Sequence, residues 1–112
     1  MNSSSELTSR RCKPCQPGTP PLSNSEADSL IRQLDGWKRY DRLISKTYDF
    51  KDYYECIAFV NSVAWLSHRE DHHPNLTVSY NKCQVEYSTH SVHGLSENDF
   101  ICAAKVDALF KI

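Results

Sequence analysis

The chain has 112 residues, a formal net charge of -1, 39% hydrophobic residues and 24% charged residues. This length fits one small domain of ordinary globular composition, and the near-neutral charge offers no basic face of the kind that nucleic-acid binding requires. No apolar run approaches the roughly 18 residues of a membrane span, and the N-terminus lacks the apolar middle of a secretory signal. We therefore expect a cytoplasmic protein that binds neither nucleic acid nor a membrane.

Residues 1–21 are rich in serine and proline and show no periodicity. We predict a disordered N-terminal arm there, followed by a single domain over residues 22–112. The arm contains Cys12 and Cys15 in C-x-x-C spacing, which can supply half of a zinc site, but no second pair of this kind follows. The odd total of five cysteines argues against a disulfide framework, so the alternative is a reduced pair in a flexible tail.

The first helix after the arm is predicted by its terminal signals. Ser23 is a suitable N-cap, and Glu26, three residues later, completes a capping box. Gly36 is expected to end this helix. Two β-prone runs at residues 37–40 and 43–48 then predict a hairpin.

The longest helical stretch is expected between residues 49 and 71, before Pro74. Its apolar residues cover far more of the circumference than a single stripe, and a helix of this kind is usually covered on two sides. We therefore expect another subunit to contact this helix. The apolar residues are Tyr53, Cys56, Ile57, Phe59, Val60, Val63, Ala64, Trp65 and Leu66.

Residues 76–87 alternate between apolar and polar and predict a second hairpin with its loop at residues 81–82. In this register the apolar residues of both strands share one face. Extending the register places His73 opposite His90 on the polar side, where directly opposed Cβ atoms lie about 5 Å apart. The hairpin therefore predicts that two histidines meet at its open end.

A last helix is predicted to begin after Ser96, with Asp99 at its third position. We interpret Asp99 as a helix cap rather than a catalytic acid. The element order is then helix, two strands, helix, two strands, helix. This order predicts an α+β fold with a four-stranded antiparallel sheet covered by helices on one face.

Three histidines, His72, His73 and His90, are expected near the open end of the second hairpin. An imidazole of ordinary pKa, near 6.5, can donate and accept protons at neutral pH. With Asp71 beside them to fix a tautomer, the histidines favour proton transfer or elimination, because no serine or cysteine nucleophile is evident. The alternative is that they are surface residues without a chemical role.

A metal site is a second alternative for the histidines. His68 and His72 are four residues apart, and His90 and His93 are three apart, as metal ligands often are. No carboxylate or cysteine has clear ligand spacing with them. A metal protein would contain stoichiometric zinc and lose its activity to a chelator.

The segments DHHPNL, YNKCQVEYSTH and GLSENDF, in this order and spacing, resemble the signature of the pterin-4a-carbinolamine dehydratase family. The resemblance runs from about Leu22 to Phe110. It implies a hydro-lyase that dehydrates 4a-hydroxytetrahydrobiopterin to quinonoid dihydropterin and water during tetrahydrobiopterin recycling. It also implies that no metal or organic cofactor takes part.

The resemblance assigns roles to residues by their position in the motifs. His72, His73 and His90 match the catalytic histidines of the family, without showing which is the acid and which the base. The residues that it implies for substrate binding are Asp71, His72, His73, Ser88, Thr89, His90 and Ser91.

The resemblance also implies partners. The family forms dimers and tetramers, so a homodimer or homotetramer is expected, with a functional link to an aromatic amino acid hydroxylase. Some relatives are dimerisation partners of a transcription factor, and the alternative function is therefore a protein-binding module acting as a coactivator. Two positions depart from the family pattern: His93 replaces a smaller residue, and Leu76 stands where many relatives carry an aromatic residue.

Overall fold

The computed structural model describes residues 3–111, and in this range the chain forms four α-helices and four strands. A 3₁₀ turn, His90–Val92, joins the last strand to the last helix. Residues 1 and 2 of the predicted arm, and residue 112, lie outside the described residues. The helices and strands are α1 (Ser3–Ser9), α2 (Asn24–Ile31), β1 (Lys38–Arg39), β2 (Ile44–Asp49), α3 (Tyr53–Glu70), β3 (Asn75–Val78), β4 (Lys82–Tyr87) and α4 (Glu97–Phe110).

The four strands form one antiparallel sheet in the order β1-β2-β4-β3, and both predicted hairpins are present. The central strand β4 buries Cys83, Val85 and Tyr87, while the residues between them are partly exposed. This alternation gives the sheet one apolar face, against which α3 and α4 pack. The predicted α+β fold is confirmed.

Both predicted capping boxes are present. At α2, the Ser23 hydroxyl accepts a hydrogen bond from the Glu26 N–H (3.1 Å), and the Glu26 carboxylate accepts one from the Ser23 N–H (2.9 Å). Ser96 and Asp99 make the equivalent pair at α4. These bonds satisfy N–H groups that the first turn of a helix leaves unpaired. The helix α2 ends at Ile31, earlier than expected, because turns occupy the residues before Gly36.

The register of the β3–β4 hairpin differs from the prediction. Val78 pairs with Cys83, and the Ser79 N–H donates to the Lys82 carbonyl (2.9 Å), so the loop is formed by residues 80–81 rather than 81–82. The strand pairing is therefore shifted by two residues. Since side chains alternate with a period of two, both registers place the same residues on the apolar face, and the pattern alone does not distinguish them.

This shift changes how the histidines come together. In the observed register, continuing the ladder would set His73 opposite Ser88. His90 lies beyond the end of β4, in the 3₁₀ turn. The ladder therefore does not bring the two histidines into direct opposition, and the prediction on this point is wrong.

The N-terminal arm begins with α1, and residues 10–21 continue without a helix or strand. The disorder expected for residues 1–21 stays a prediction. Leu7 of α1 is fully buried, and α1 packs against α4. Beyond α1, the Cys12 N–H donates to the Glu70 carboxylate (2.8 Å). A seven-residue helix is too short to be stable alone, so its docking partners stabilise it, and those partners lie far away in the sequence. The boundary of the domain at residue 22 stays a prediction.

Glu70 anchors the arm through an ionised carboxylate. Burial alone would raise the pKa of Glu70, but the hydrogen bond from the Cys12 N–H and the Lys105 and Arg11 cations outweigh burial and hold this pKa below its ordinary value. The Lys105 ammonium lies 2.8 Å from the carboxylate and the Arg11 guanidinium 3.3 Å. The charged form of Glu70 is therefore the one that the folded state prefers.

This lowered pKa predicts an acid-sensitive arm. A group whose pKa is lower in the folded than in the unfolded state stabilises the fold above the unfolded-state value, about 4.3 for glutamate, and loses that contribution as pH falls through the folded-state value. The free energy of unfolding, measured by urea denaturation between pH 3 and 7, should fall more steeply below about pH 5 in the wild type than in Glu70→Gln. Glu97→Gln, which alters an exposed glutamate, is the control and should follow the wild type. Parallel curves for the wild type and Glu70→Gln would contradict this role.

Asp107 of α4 is the centre of a second polar cluster, on the side of the sheet covered by the helices. Its carboxylate accepts hydrogen bonds from the Trp37 indole N–H (3.1 Å), the Lys46 ammonium (2.9 Å) and the Tyr48 hydroxyl. Burial, together with the neighbouring Asp107 carboxylate, raises the pKa of Tyr48, so this hydroxyl stays protonated and able to donate. The cluster joins α4 to the first hairpin.

The long helix α3 buries only part of its apolar surface within the chain. Cys56, Phe59 and Val63 are buried, whereas Trp65 is 63% exposed and Tyr54 is 82% exposed. Exposed aromatic residues on one helix are typical of interaction surfaces. Across residues 3–111, no helix combines the length and the apolar character that crossing a bilayer would demand.

Candidate active site

A cavity of about 510 Å³ opens where the end of α3, the β3–β4 hairpin and the 3₁₀ turn meet. All seven residues that the sequence predicts for substrate binding line it, together with Asn75 and Glu86. The structure thus brings the predicted residues together, and their role in binding stays a prediction. The lining residues are Asp71, His72, His73, Asn75, Glu86, Ser88, Thr89, His90 and Ser91.

The end of α3 directs two adjacent histidines to different environments. Asp71 takes a left-handed backbone conformation (φ 51°) that ends the helix, and its N–H donates to the Ser67 carbonyl. Pro74 prevents the helix from continuing. The chain therefore leaves the helix before the two cavity residues, of which the His72 side chain is 12% exposed and His73 is exposed.

His72 is held in place by two neighbours. Its Nε2 lies 2.6 Å from Oδ1 of Asp99, and its ring stacks on Tyr87 with a centroid distance of 5.7 Å and an interplanar angle of 11°. Asp99 is fully buried, and its Oδ2 accepts hydrogen bonds from the Ser96 N–H (2.9 Å) and the Thr89 hydroxyl (2.8 Å). The imidazole of His72 is therefore fixed in both position and orientation.

The contact with Asp99 selects one tautomer of His72. A carboxylate can only accept hydrogen bonds, so Nε2 of the neutral ring must carry the proton and Nδ1 has the free lone pair. From the sequence, Asp71 was expected to fix the tautomer and Asp99 to be a helix cap alone. In the structure Asp99 does both, because capping occupies one carboxylate oxygen and leaves the other for His72. A carboxylate has two oxygens, so an aspartate at a capping position can also bind a second group, and this was the signal available in the sequence.

Thr89 is part of the hydrogen-bond network around Asp99. It is buried, and its hydroxyl lies 2.7 Å from the Ser96 hydroxyl and donates to Asp99. Its backbone N–H donates to the Gly94 carbonyl (2.7 Å) and closes the 3₁₀ turn. The hydroxyl of Thr89 is thus occupied within the protein, and the contact predicted between this residue and a substrate would involve other atoms.

His73 and His90 are more exposed than His72. Within residues 3–111, neither side chain makes a hydrogen bond to another residue, so both rings are open to a ligand. His90 begins the 3₁₀ turn, and His93 ends it in a left-handed conformation (φ 56°). The rings of His90 and His93 are 6.0 Å apart, but His93 is exposed and does not line the cavity.

The predicted metal ligands do not come together. In the described part of the chain, no three His, Cys, Asp or Glu side chains are arranged to hold a metal ion. His68 lies on the exposed side of α3 beside Trp65, with a ring distance of 5.4 Å. The set His68, His72, His90 and His93 is therefore not assembled as one site.

A different cavity, of about 460 Å³, lies between the start of α3 and the end of α4. It is lined by Phe50, Phe59 and Phe110, with Glu55 and Asp49 among its polar residues, and it contains no histidine. The cavity around His72, His73 and His90 is the better candidate for proton-transfer chemistry, because it groups three imidazoles, a side chain that can both donate and accept protons.

Comparison with known proteins agrees with the resemblance seen in the sequence. The pattern that describes pterin 4 alpha carbinolamine dehydratases matches residues 20–109. A protein of Nitrosospira multiformis is 62% identical over 107 residues, covering 96% of this chain and 95% of its own length. One of Nitrosomonas europaea is 59% identical over 112 residues, covering 99% of both chains. Both are named provisionally as pterin-4-alpha-carbinolamine dehydratases.

A solved structure shares the fold. It is described as a transcriptional coactivator/pterin dehydratase from Brucella melitensis, and it superposes with a TM-score of 0.76 at 33% identity. The superposition covers 80% of this chain and 97% of that one. With a family pattern over most of the chain, close relatives over nearly all of it and a common fold, the chain belongs to the pterin 4 alpha carbinolamine dehydratase family.

Proposed function

We propose that this protein dehydrates 4a-hydroxytetrahydrobiopterin to quinonoid dihydropterin and water by acid–base catalysis from His72, His73 and His90. The observation that carries the proposal is that these three histidines line one cavity in a chain of the dehydratase family. The resemblance to the family implies that no metal or organic cofactor takes part, and the three histidines can supply the proton transfers. We place it in cytoplasmic tetrahydrobiopterin recycling, beside an aromatic amino acid hydroxylase.

The chemistry requires one acid and one base. The hydroxyl on C4a must leave as water, so it must gain a proton, and the proton on N5 must be removed as the C4a–N5 double bond forms. A protonated histidine can supply the first proton and a neutral histidine can accept the second. Exchange with solvent then returns both rings to their starting states. Two or more histidines around one substrate satisfy this requirement.

The geometry favours His72 as the base. Asp99 holds the proton of its neutral ring on Nε2, which leaves Nδ1 ready to accept one. When Nδ1 accepts the N5 proton, the resulting imidazolium keeps its hydrogen bond to the carboxylate. His73 and His90 have no such constraint and are the candidates for the acid that protonates the leaving hydroxyl.

The cavity suits a polar heterocycle. Its volume lies within the range of roughly 300–1,000 Å³ that small-molecule sites usually have. A pterin ring presents N–H donors along its pyrimidine edge, and the carboxylates of Asp71 and Glu86 can accept from them. The hydroxyls of Ser88 and Ser91 can contact the remaining polar atoms. These contacts would orient C4a and N5 toward the histidines.

Replacing a catalytic histidine should abolish most of the acceleration. His73→Ala and His90→Ala are each expected to slow the loss of 4a-hydroxytetrahydrobiopterin, followed by ultraviolet absorbance, by about 10²-fold to 10⁴-fold, the usual contribution of a general acid or base. His68→Ala removes a histidine outside the cavity and should keep the wild-type rate. A chelator should leave the wild-type rate unchanged. Wild-type rates in both cavity variants would contradict histidine catalysis, and loss of activity with chelator would support a metal enzyme.

A second candidate function is protein binding through α3, as a homodimer or homotetramer or as a coactivator. The exposed Trp65 and Tyr54 of α3 favour it, and the Brucella protein of the same fold is described as a coactivator as well as a dehydratase. The same His73→Ala variant separates the two functions. Its sedimentation should match the wild type if α3 mediates assembly, whereas its dehydration rate should fall.

A further inference from the structure

Two thiols from distant parts of the chain are in contact behind the candidate active site. Cys12 belongs to the arm and Cys102 to α4, 90 residues later, and their Sγ atoms lie 3.5 Å apart. Cys102 is fully buried, whereas Cys12 is partly exposed. A disulfide bond is about 2.05 Å long, so the two sulfur atoms need to approach by only about 1.5 Å to form one.

Hydrogen bonds between the arm and the rest of the chain hold Cys12 in this position. The Asn98 side chain pairs with the backbone of Lys13 in both directions: its Oδ1 accepts from the Lys13 N–H (3.0 Å) and its Nδ2 donates to the Lys13 carbonyl (2.7 Å). The Cys12 N–H donates to Glu70, as described above, and the Cys12 thiol points at the Asn98 carbonyl (3.7 Å). The contact between the sulfur atoms is therefore part of an ordered docking arrangement.

The docked arm also forms one wall of a cavity that adjoins the catalytic one. This cavity, of about 290 Å³, has Cys12 and Cys15 on the arm side. On the other side it shares four residues with the candidate active site: Asp71, His72, Thr89 and Ser91. A change in the attachment of the arm would thus occur directly beside His72.

We propose that Cys12 and Cys102 are an oxidation site, at which a disulfide bond fastens the arm to α4 under oxidising conditions. Reduction breaks this disulfide, and the arm is then held by its hydrogen bonds and ion pairs alone. The protein would then carry a redox-dependent attachment next to its active site, independent of the dehydration chemistry.

A small disulfide such as oxidised glutathione is a sufficient oxidant. The Cys12 thiolate attacks one of its sulfur atoms, which forms a mixed disulfide and releases one glutathione. The sulfur of Cys102 then attacks Cys12, which forms the protein disulfide and releases the second glutathione. Two electrons pass from the protein thiols to the small disulfide, and the two thiol protons end on the two glutathiones released. Contact with Cys12 and burial raise the pKa of Cys102, so Cys12 is the thiol that reacts first.

The other cysteines provide internal comparisons. Cys56 and Cys83 are both fully buried, and burial raises the pKa of each, that of Cys83 to about 11. They should stay reduced. Cys15 is the competitor, because it is partly exposed and shares the C-x-x-C motif with Cys12. Its thiol lies near the Lys13 carbonyl (3.9 Å) and the Asn98 amide (3.7 Å).

The linkage can be mapped on the full chain. After incubation with oxidised glutathione and alkylation of free thiols, cleavage after Lys, Arg and Glu separates residues 12–26 from residues 98–105, since Pro14 blocks cleavage after Lys13. Mass spectrometry should find these two peptides joined in the wild type and in Cys15→Ser. The joined species should be missing in Cys12→Ser and Cys102→Ala.

Stability gives an independent measurement. A bond that closes a loop of this length restricts the unfolded chain, so oxidation should raise the melting temperature by about 5–10 °C in the wild type and Cys15→Ser, and dithiothreitol should reverse the rise. Cys12→Ser, in which a partly exposed thiol is changed, should show no rise. A bond between Cys12 and Cys15, a glutathione adduct without the internal bond, or no reaction of Cys12 would each overturn the proposal.

Discussion

Asp99→Asn should lower the rate of dehydration by about 100-fold or more while the protein remains folded. Asparagine has a single side-chain oxygen, so it can replace only one of the two carboxylate oxygens as a hydrogen-bond acceptor. If it accepts from the Ser96 N–H and the Thr89 hydroxyl, its amide group faces His72 and donates to Nε2. The proton of the neutral ring must then move to Nδ1, which is the nitrogen needed to accept the substrate proton. Loss of the correct histidine tautomer has large catalytic costs in enzymes that pair a carboxylate with a histidine.

The measurement is kcat and KM for 4a-hydroxytetrahydrobiopterin, with circular dichroism to verify folding. Because the change affects proton transfer, kcat should fall and KM should change little. Ser96→Ala is the matched control: it removes the cap hydroxyl of α4, at a cost of about 1 kcal/mol, and leaves the contact between Asp99 and His72 intact. A folded Asp99→Asn protein with wild-type kcat would show that the tautomer of His72 is not needed.

Asp107→Ala should destabilise the protein by about 3 kcal/mol or more. Removing the carboxylate leaves the Trp37 indole N–H and the Tyr48 hydroxyl without their acceptor, and both residues are buried. Each buried donor left unpaired costs about 1–3 kcal/mol, and Lys46, whose side chain is 21% exposed, loses its counter-charge as well. The free energy of unfolding in urea measures this loss.

Asp35→Ala is the control for Asp107→Ala, because the Asp35 side chain is exposed and its backbone carbonyl, which accepts from Lys46, is retained. It should change the stability by less than about 0.5 kcal/mol. Asp107 does not line the cavity, so Asp107→Ala should keep its kcat at temperatures where it is folded. A loss of stability below about 1 kcal/mol would mean that the three donors find other partners.

Local signals in the sequence predicted the elements well. Capping residues act within three positions of each other, and apolar periodicity acts within a turn or a strand, so Ser23, Ser96 and the long helix were all predictable. The register of the second hairpin was not, because a shift of two residues leaves the alternation unchanged. The grouping of His72, His73 and His90 was nevertheless predicted, since each of them borders the same end of the hairpin.

The features that the sequence did not predict depend on contacts between residues that are far apart in the chain. The bond between His72 and Asp99 joins positions 27 residues apart, whereas the local sequence indicates only the cap that Asp99 forms with Ser96. The contacts of the arm with Glu70 and Asn98 were not predicted either, because both side chains look like ordinary solvent-facing residues in the sequence.

The position of α4 has a consequence for synthesis of the chain. Asn98 binds the arm, Asp99 binds His72 and Asp107 binds the first hairpin, so one late segment completes contacts with three separate earlier parts of the protein. While α4 is still inside the ribosome, the strands and α3 lack their cover and the carboxylates that organise them. Folding of the emerging chain must therefore wait for α4, and during this interval the apolar faces of the sheet and α3 are available to chaperones.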